Sequence, residues 1–208
     1  MFEGPADRLY PILDDAVCAA RGVELRELAL ACFRGGARVV QLRIKRGSSA
    51  RFLDLASDLT SSARPFGAAV IVNDRADLAR MAQAAGVHVG QEDLPPDAVR
   101  AVFPDGVVGL STHDTRQVDE ALASAADYIA VGPVFGSATK DTGYTARGLG
   151  LVSEAAGRGK PVVAIGGIDL DRAPAVIAAG AASVAVISDL LTGGDPEARV
   201  KAYLRALA

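Results

Sequence analysis

Val39-Val40-Gln41-Leu42-Arg43-Ile44-Lys45 begins as a buried strand and turns polar on one face as it ends. Successive side chains of a strand point to opposite faces, so Gln41, Arg43 and Lys45 fall on one side and Leu42 and Ile44 on the other. An amide and two cations converging at a strand end are costly in an apolar core and well suited to gripping an anion. A strand that simply runs out into solvent with a charged tip is the plainer alternative. The recurrence of the same event along the chain, an apolar run followed by convergent polar groups, weighs for the first reading.

Apolar, β-rich runs occur at Leu9–Leu13, Val39–Leu42, Ala69–Asn73, Val87–Val89, Val107–Ser111, Tyr128–Val131, Val162–Ile165 and Ser183–Ile187. They are continuous rather than alternating, as parallel strands covered on both faces require. Helical periodicity fills the intervals: Glu24–Arg34, Ser49–Arg64, Arg75–Ala85, Pro95–Val102, Thr115–Ala125, Leu149–Gly157, Asp171–Ala179 and Asp195–Leu207. Eight alternations predict a single (β/α)8 TIM barrel over residues 1–208, with a doubly wound open sheet as the alternative. No shift in composition marks a second domain. Helix-to-strand junctions are short and small, such as Gly35-Gly36-Ala37 and Gly180-Ala181-Ala182. Strand-to-helix junctions hold the unusual polar residues, and that is the face where barrel active sites lie. The first strand, Leu9–Leu13, is the one whose end does not stand out.

Composition narrows the function classes. Hydrophobic residues make up 50% and charged residues 23%, and a net charge of −3 offers no nucleic-acid or membrane surface. No apolar run reaches the length of a membrane span, and Met1-Phe2-Glu3-Gly4 lacks the basic start of a signal peptide, so a cytoplasmic protein is expected. Absence of Trp and an aromatic content of 5% argue against base stacking. Cys18 and Cys32 stand alone, and with only two histidines no His or Cys set has zinc-ligand spacing.

The junctions carry the candidate chemistry. Asn73-Asp74-Arg75 follows the third run, where either Asn73 or Asp74 also suits a helix N-cap. Asp93 follows the fourth. Asp74 and Asp93 would sit on adjacent strand ends, where two carboxylates need a cation, and together with substrate phosphates they suit Mg2+. His88, inside its strand, reads as a satisfied wall residue rather than a catalytic one. Ser111 after the fifth run suits a substrate contact, although Ser111-Thr112-His113-Asp114 also resembles capping sequence. No carboxylate-and-histidine arrangement marks Ser111 as a nucleophile. After the sixth run, Gly132–Gly143 is the longest junction; Ser137, Thr139 and Lys140 give it the look of a phosphate-gripping loop, with an ordinary exposed loop as the alternative. Gly166 and Gly167 after the seventh run, and Ile187-Ser188 opening a short helix after the eighth, match the phosphate cup of barrels.

Taken together, Val40–Lys45, Asn73–Ala79, Gly86–Asp93, Gly132–Phe135, Thr139-Lys140, Ala164–Ile168 and Val184–Ser188 resemble the thiamine phosphate synthase family, from Leu9 to Leu190. The resemblance implies a transferase of thiamine biosynthesis. It would join 4-amino-2-methyl-5-(hydroxymethyl)pyrimidine diphosphate to 4-methyl-5-(2-phosphooxyethyl)thiazole, giving thiamine phosphate and pyrophosphate. It further implies that Gln41, Arg43, Lys45 and Asn73 hold the pyrimidine diphosphate, that Asp74 and Asp93 bind Mg2+, and that Ser111 touches the pyrimidine. Ser137, Thr139, Gly166, Gly167, Ile187 and Ser188 would bind the thiazole phosphate, and Lys140 the departing diphosphate. A dissociative, Mg-assisted substitution needs cations and a dry site rather than a nucleophile, which fits the missing triad. Ile44 replaces a commonly acidic residue but points away from the site. Ser137 replaces a common threonine and keeps the hydroxyl. Two rivals are a thiazole tautomerase of the same superfamily and a non-catalytic phospho-ligand-binding barrel. In the first, the acid–base histidine stands where this chain has Pro133. The second would be expected to lose the charged grip. Partners are expected to be small molecules, and a homo-oligomer is compatible with the sequence.

Overall fold

Parallel strands this apolar on both faces need cover inside and out, and here they obtain it by closing on one another in chain order. The protein is described by a computed structural model covering residues 2, 4–136 and 145–208. Its strands are β1 (Leu9–Asp14), β2 (Val39–Arg43), β3 (Ala69–Asn73), β4 (Gly86–Val89), β5 (Val107–Thr112), β6 (Tyr128–Val131), β7 (Val162–Ile165) and β8 (Ser183–Val186). They form a closed barrel, all parallel, sealed where Tyr10 pairs with Ala185. The helices are α1 (Asp15–Ala20), α2 (Leu25–Gly35), α3 (Ser49–Ala63), α4 (Ala76–Met81), α5 (Pro96–Val102), α6 (Thr115–Ala123), α7 (Gly148–Ala155), α8 (Ala173–Ala178) and α9 (Pro196–Ala206). The expected (β/α)8 TIM barrel is the observed fold.

Period-two alternation sorts the strand residues into two cores. Leu13, Val40, Leu42, Val70, Val72 and Val87 face outward and pack with the helices. Tyr10, Ile12, Val39, Ile71, Tyr128 and Val163 fill the barrel. Ile44 is buried in the outer core, turned from the site as expected. Register then levels the inward rows: Gln41 pairs with Ile12 and Ile71, Asn73 with His88, His88 with Gly109, and Ser111 with Ala130. Climbing the barrel, apolar side chains give way to polar ones. At the lower end Phe2 stands edge-on to Tyr128, ring centroids 5.1 Å apart, and closes the barrel under the tyrosines.

Differences from the sequence reading are local. Strand β1 extends to Asp14, whose carboxylate accepts from Val17 N–H at 3.0 Å and caps the unforeseen helix α1. Helix α4 stops at Met81, short of Ala85, because the chain turns left-handed at Gln83 (φ 54°). Gly36, at φ 100°, ends α2 as a left-handed cap. Cys18 and Cys32 are buried free thiols, pushed by burial up to about 11 and about 12 respectively. Among the described residues no helix is long and apolar enough to cross a membrane.

Leu59, fully buried between α3 and the sheet, and Met81, 63% exposed on α4, test this division of surface and core. Leu59→Ala is expected to lose about 2–5 kcal/mol of unfolding free energy. Met81→Ala should stay within about 0.5 kcal/mol of the parent in urea titrations.

Candidate active site

The polar ends of the inward rows meet at the C-terminal mouth. On β2, Gln41 is buried and donates from Nε2 to the Tyr10 hydroxyl at 3.2 Å. Two residues up, the Arg43 guanidinium pairs with the carboxylate of Asp14. Beyond the strand, Lys45 Nζ lies 2.6 Å from Asp74 Oδ2. The row predicted for Gln41, Arg43 and Lys45 is therefore present, but each member is already partnered. Asp14, the end of the one strand that seemed unremarkable, belongs to the site.

Asp74 is not the N-cap that its position suggested. Its backbone is left-handed (φ 65°), Arg75 takes the cap position of α4, and the carboxyl turns toward Lys45 and Asp93. Burial, reinforced by Asp93 and opposed by the Lys45 ammonium, raises its pKa above the ordinary carboxylate value. Asp93 accepts from Gly90 N–H at 2.7 Å, which holds its own loop in place. Two carboxylates in mutual reach, one with ionisation disfavoured by the other, form a place where a divalent cation relieves repulsion. A pair of carboxylates completed by phosphate and water oxygens suits Mg2+, so these residues fit the ion. Among the described residues no group of three or more His, Cys, Asp or Glu side chains offers a metal cage.

Ser111 Oγ lies 2.9 Å from His88 Nε2, and His88 Nδ1 lies 2.9 Å from the Tyr128 hydroxyl. A histidine does meet Ser111, which the sequence reading did not foresee. The nitrogen that a triad would present to a carboxylate faces a phenol instead, so the arrangement lacks the parts of a hydrolase. His88 is a satisfied wall residue, as its position implied. An alanine at Gly109 would bring its Cβ within 2.1 Å of Tyr128 Cζ, so glycine there leaves room for the phenol. Asn73 is buried, and among the described residues its Nδ2 has no hydrogen-bond partner. An orphaned donor of this kind is costly unless a ligand meets it.

The sixth and seventh junctions are fastened backbone to backbone. Val134 N–H donates to Ile165 O at 2.8 Å and Phe135 N–H to Gly166 O at 2.9 Å. Gly166 has φ 105°, and a Cβ there would come within 2.6 Å of Pro133. Gly166, Gly167, Ile187 and Ser188 line one cavity of about 340 Å³ with Ser111. A smaller cavity of about 70 Å³ lies beside it, lined by Gln41, Arg43, Asn73, His88 and Ser111 among others. Lys45, Asp74 and Asp93 stand at the rim outside both. Ser137, Thr139 and Lys140 lie outside the described residues.

Sequence reasoning also missed a brace behind the cup. Asp189, in the short 3-10 helix Ser188–Leu191, accepts from Arg199 at 2.7 Å and from the Tyr203 hydroxyl at 2.5 Å. The Arg199 guanidinium offsets the charge of this acid at the cavity wall, and the phenol adds a neutral donor. Their signal was the inward Tyr203 of α9, legible only once α9 is seen against the eighth junction.

A parallel barrel with cations, a carboxylate pair and a glycine-lined cup at its C-terminal mouth is the arrangement of a TIM-barrel enzyme. Residues 9–190 match the family model described as thiamine monophosphate synthase. The chain is 45% identical over 172 residues to the thiamine-phosphate synthase of Anaeromyxobacter dehalogenans, covering 82% of this chain and 77% of that one. It is 41% identical over 222 aligned positions to that of Mycobacterium sp. strain KMS, covering 98% and 97% respectively. The solved thiamine phosphate pyrophosphorylase of Pyrococcus furiosus superposes with a TM-score of 0.88 at 29% identity, over 98% of this chain and 96% of that chain. The chain belongs to the thiamine monophosphate synthase family and is a transferase of thiamine biosynthesis.

The raised pKa of Asp74 has a consequence for stability. A carboxyl whose pKa rises on folding favours the folded state below its ordinary value, and that contribution is lost as pH climbs through the raised value. Asparagine tolerates the left-handed backbone and stays neutral. In EDTA, Asp74→Asn should therefore gain stability relative to the parent between about pH 3 and pH 7. Thermal melts across that range check it; a constant or narrowing advantage contradicts the assignment.

Proposed function

We propose that the chain condenses 4-amino-2-methyl-5-(hydroxymethyl)pyrimidine diphosphate with 4-methyl-5-(2-phosphooxyethyl)thiazole, forming thiamine phosphate and pyrophosphate. The observation that carries the reading is the inward row Gln41, Arg43, Lys45 ending against Asp74 beside Asp93. It offers, in sequence up one strand, a polar contact for a heterocycle, a cation for a diphosphate and a carboxylate pair for its counter-ion.

Gln41, Asn73 and Ser111 would orient the pyrimidine, with the orphaned Asn73 amide gaining a partner from the substrate. Arg43 and Lys45 would hold the diphosphate, Arg43 aimed by Asp14. The bond from the pyrimidine methylene carbon to the diphosphate oxygen breaks, and its electrons leave with pyrophosphate. The thiazole nitrogen then gives its lone pair to that carbon, closing the new carbon–nitrogen bond. Cations fixed before reaction stabilise the charge growing on the leaving oxygen without reorganising. Asp74 and Asp93 would hold Mg2+, which when bound supplies further charge neutralisation at the diphosphate. Gly166, Gly167, Ile187 and Ser188 would seat the thiazole phosphate in the larger cavity. Ser137 and Thr139 would join that phosphate grip, and Lys140 would steady the departing diphosphate. The dry wall of Ile165, Ala185 and Ile187 between the cavities would keep water from the cation.

The test is turnover with both substrates and Mg2+, following thiamine phosphate and pyrophosphate together. EDTA should abolish both products. Asp93→Asn keeps an acceptor for Gly90 N–H but removes the charge, and should lower kcat/KM on the order of 100-fold. Absence of both products from folded protein would sink the reading.

A further inference from the structure

A chain of hydrogen bonds crosses the barrel beneath the site. Gln41 Nε2 is 3.2 Å from the Tyr10 hydroxyl, which is 3.1 Å from the Tyr128 hydroxyl. Tyr128 is 2.9 Å from His88 Nδ1, and His88 Nε2 is 2.9 Å from Ser111 Oγ. An amide N–H can only donate, so the Tyr10 oxygen accepts there and sends its proton to Tyr128. Tyr128 in turn donates to His88 Nδ1. A neutral imidazole that accepts at Nδ1 carries its proton on Nε2 and donates it to Ser111 Oγ. Burial raises both phenols above their ordinary range, so each keeps the proton it must donate. With the Gln41 amide turned as it is here, nitrogen toward Tyr10, reversal would aim the Tyr10 proton at a group that cannot accept it.

We propose that this chain is a one-way relay that fixes an acceptor at Gln41 Oε1 and a donor at Ser111 O–H, and thereby selects an aminopyrimidine over its oxo analogue. Both residues line the same small cavity, with Tyr10 and His88 in its wall. An exocyclic amino group gives its hydrogen to Gln41 Oε1, and the ring nitrogen accepts from Ser111. The oxo analogue presents the opposite pattern, oxygen against oxygen and N–H against O–H. Tyr10, Tyr128 and His88 act through their neighbours as positioning residues. The ring's identity rests on the proposed function; the relay's direction does not.

The first measurement is the tautomer of each histidine, by 15N NMR at about pH 8, above the ordinary histidine pKa. There are two histidines in the chain, and His113 supplies the opposite standard, because its Nδ1 faces the Gly132 carbonyl oxygen at 2.6 Å and must be protonated. One Nε2–H and one Nδ1–H signal are expected; two Nδ1–H signals overturn the relay. Tyr128→Phe should redistribute the His88 tautomers and raise KM for the pyrimidine diphosphate about 10-fold, the scale of one lost hydrogen bond. KM for the thiazole phosphate should hold, and discrimination against the oxopyrimidine diphosphate should fall by a similar factor. Equal rises in both KM values, or unchanged discrimination, overturn it. Tyr10→Phe interrupts the same relay and serves if Tyr128→Phe does not fold. If the parent forms no thiamine phosphate, the functional reading fails alone. Tautomers, and calorimetric binding of the aminopyrimidine alcohol against its oxo analogue, then decide the relay.

Discussion

Polar groups carried inside a closed barrel lose water, and each must find a partner or leave the cost uncompensated. That constraint organises the upper half of this molecule. The inward rows of eight parallel strands would be filled with Val and Ile if stability alone were served. Instead Gln41, Tyr10, Tyr128, His88 and Ser111 satisfy one another across the barrel, and Asn73 Nδ2 is left over. A network so nearly closed, with its unmet donor at the mouth, is arranged for a ligand that completes it.

Charge follows the same logic. Arg43 with Asp14, Lys45 with Asp74, and Arg199 with Asp189 pair three cations near the mouth with acids before any ligand arrives. The pairs differ in use. Asp14 is nearly buried and also caps α1, and Asp189 is held by Arg199 and the Tyr203 hydroxyl together, so both orient their partners. Asp74 is partly open, strained in backbone and disfavoured as an anion beside Asp93. On the proposed function it is the member of the set that would exchange its partner for a cation brought with a phosphate.

Much of this was legible in the chain. Continuous apolar runs identified the strands, and period two placed Gln41, Arg43 and Lys45 on the inner face and Ile44 on the outer. The pairing of Asp74 with Asp93 followed from adjacent strand ends. Less legible were contacts between distant segments. Asp14 falls just past the first run, Leu9–Leu13, and nothing marks it until Arg43 lies beside it in register. His88 and Ser111 are 23 residues apart, and only the inward alternation of β4 and β5 joins them. Tyr10 and Tyr128 lie inside two of the apolar runs, where nothing singles them out; that their hydroxyls form the middle of a polar chain depends on the bare Cα of Gly109. Helix α1 was missed because six residues carry too little periodicity to register.

The account is tested most directly by a crystal structure of the protein grown with thiamine phosphate, pyrophosphate and Mg2+. It predicts the pyrimidine ring between Gln41 and Ser111, pyrophosphate against Arg43 and Lys45, and the metal between Asp74 and Asp93. The ester phosphate should lie on Gly166, Gly167 and Ser188. Ligands bound with the pyrimidine outside that cavity, or a metal held away from both carboxylates, would contradict it.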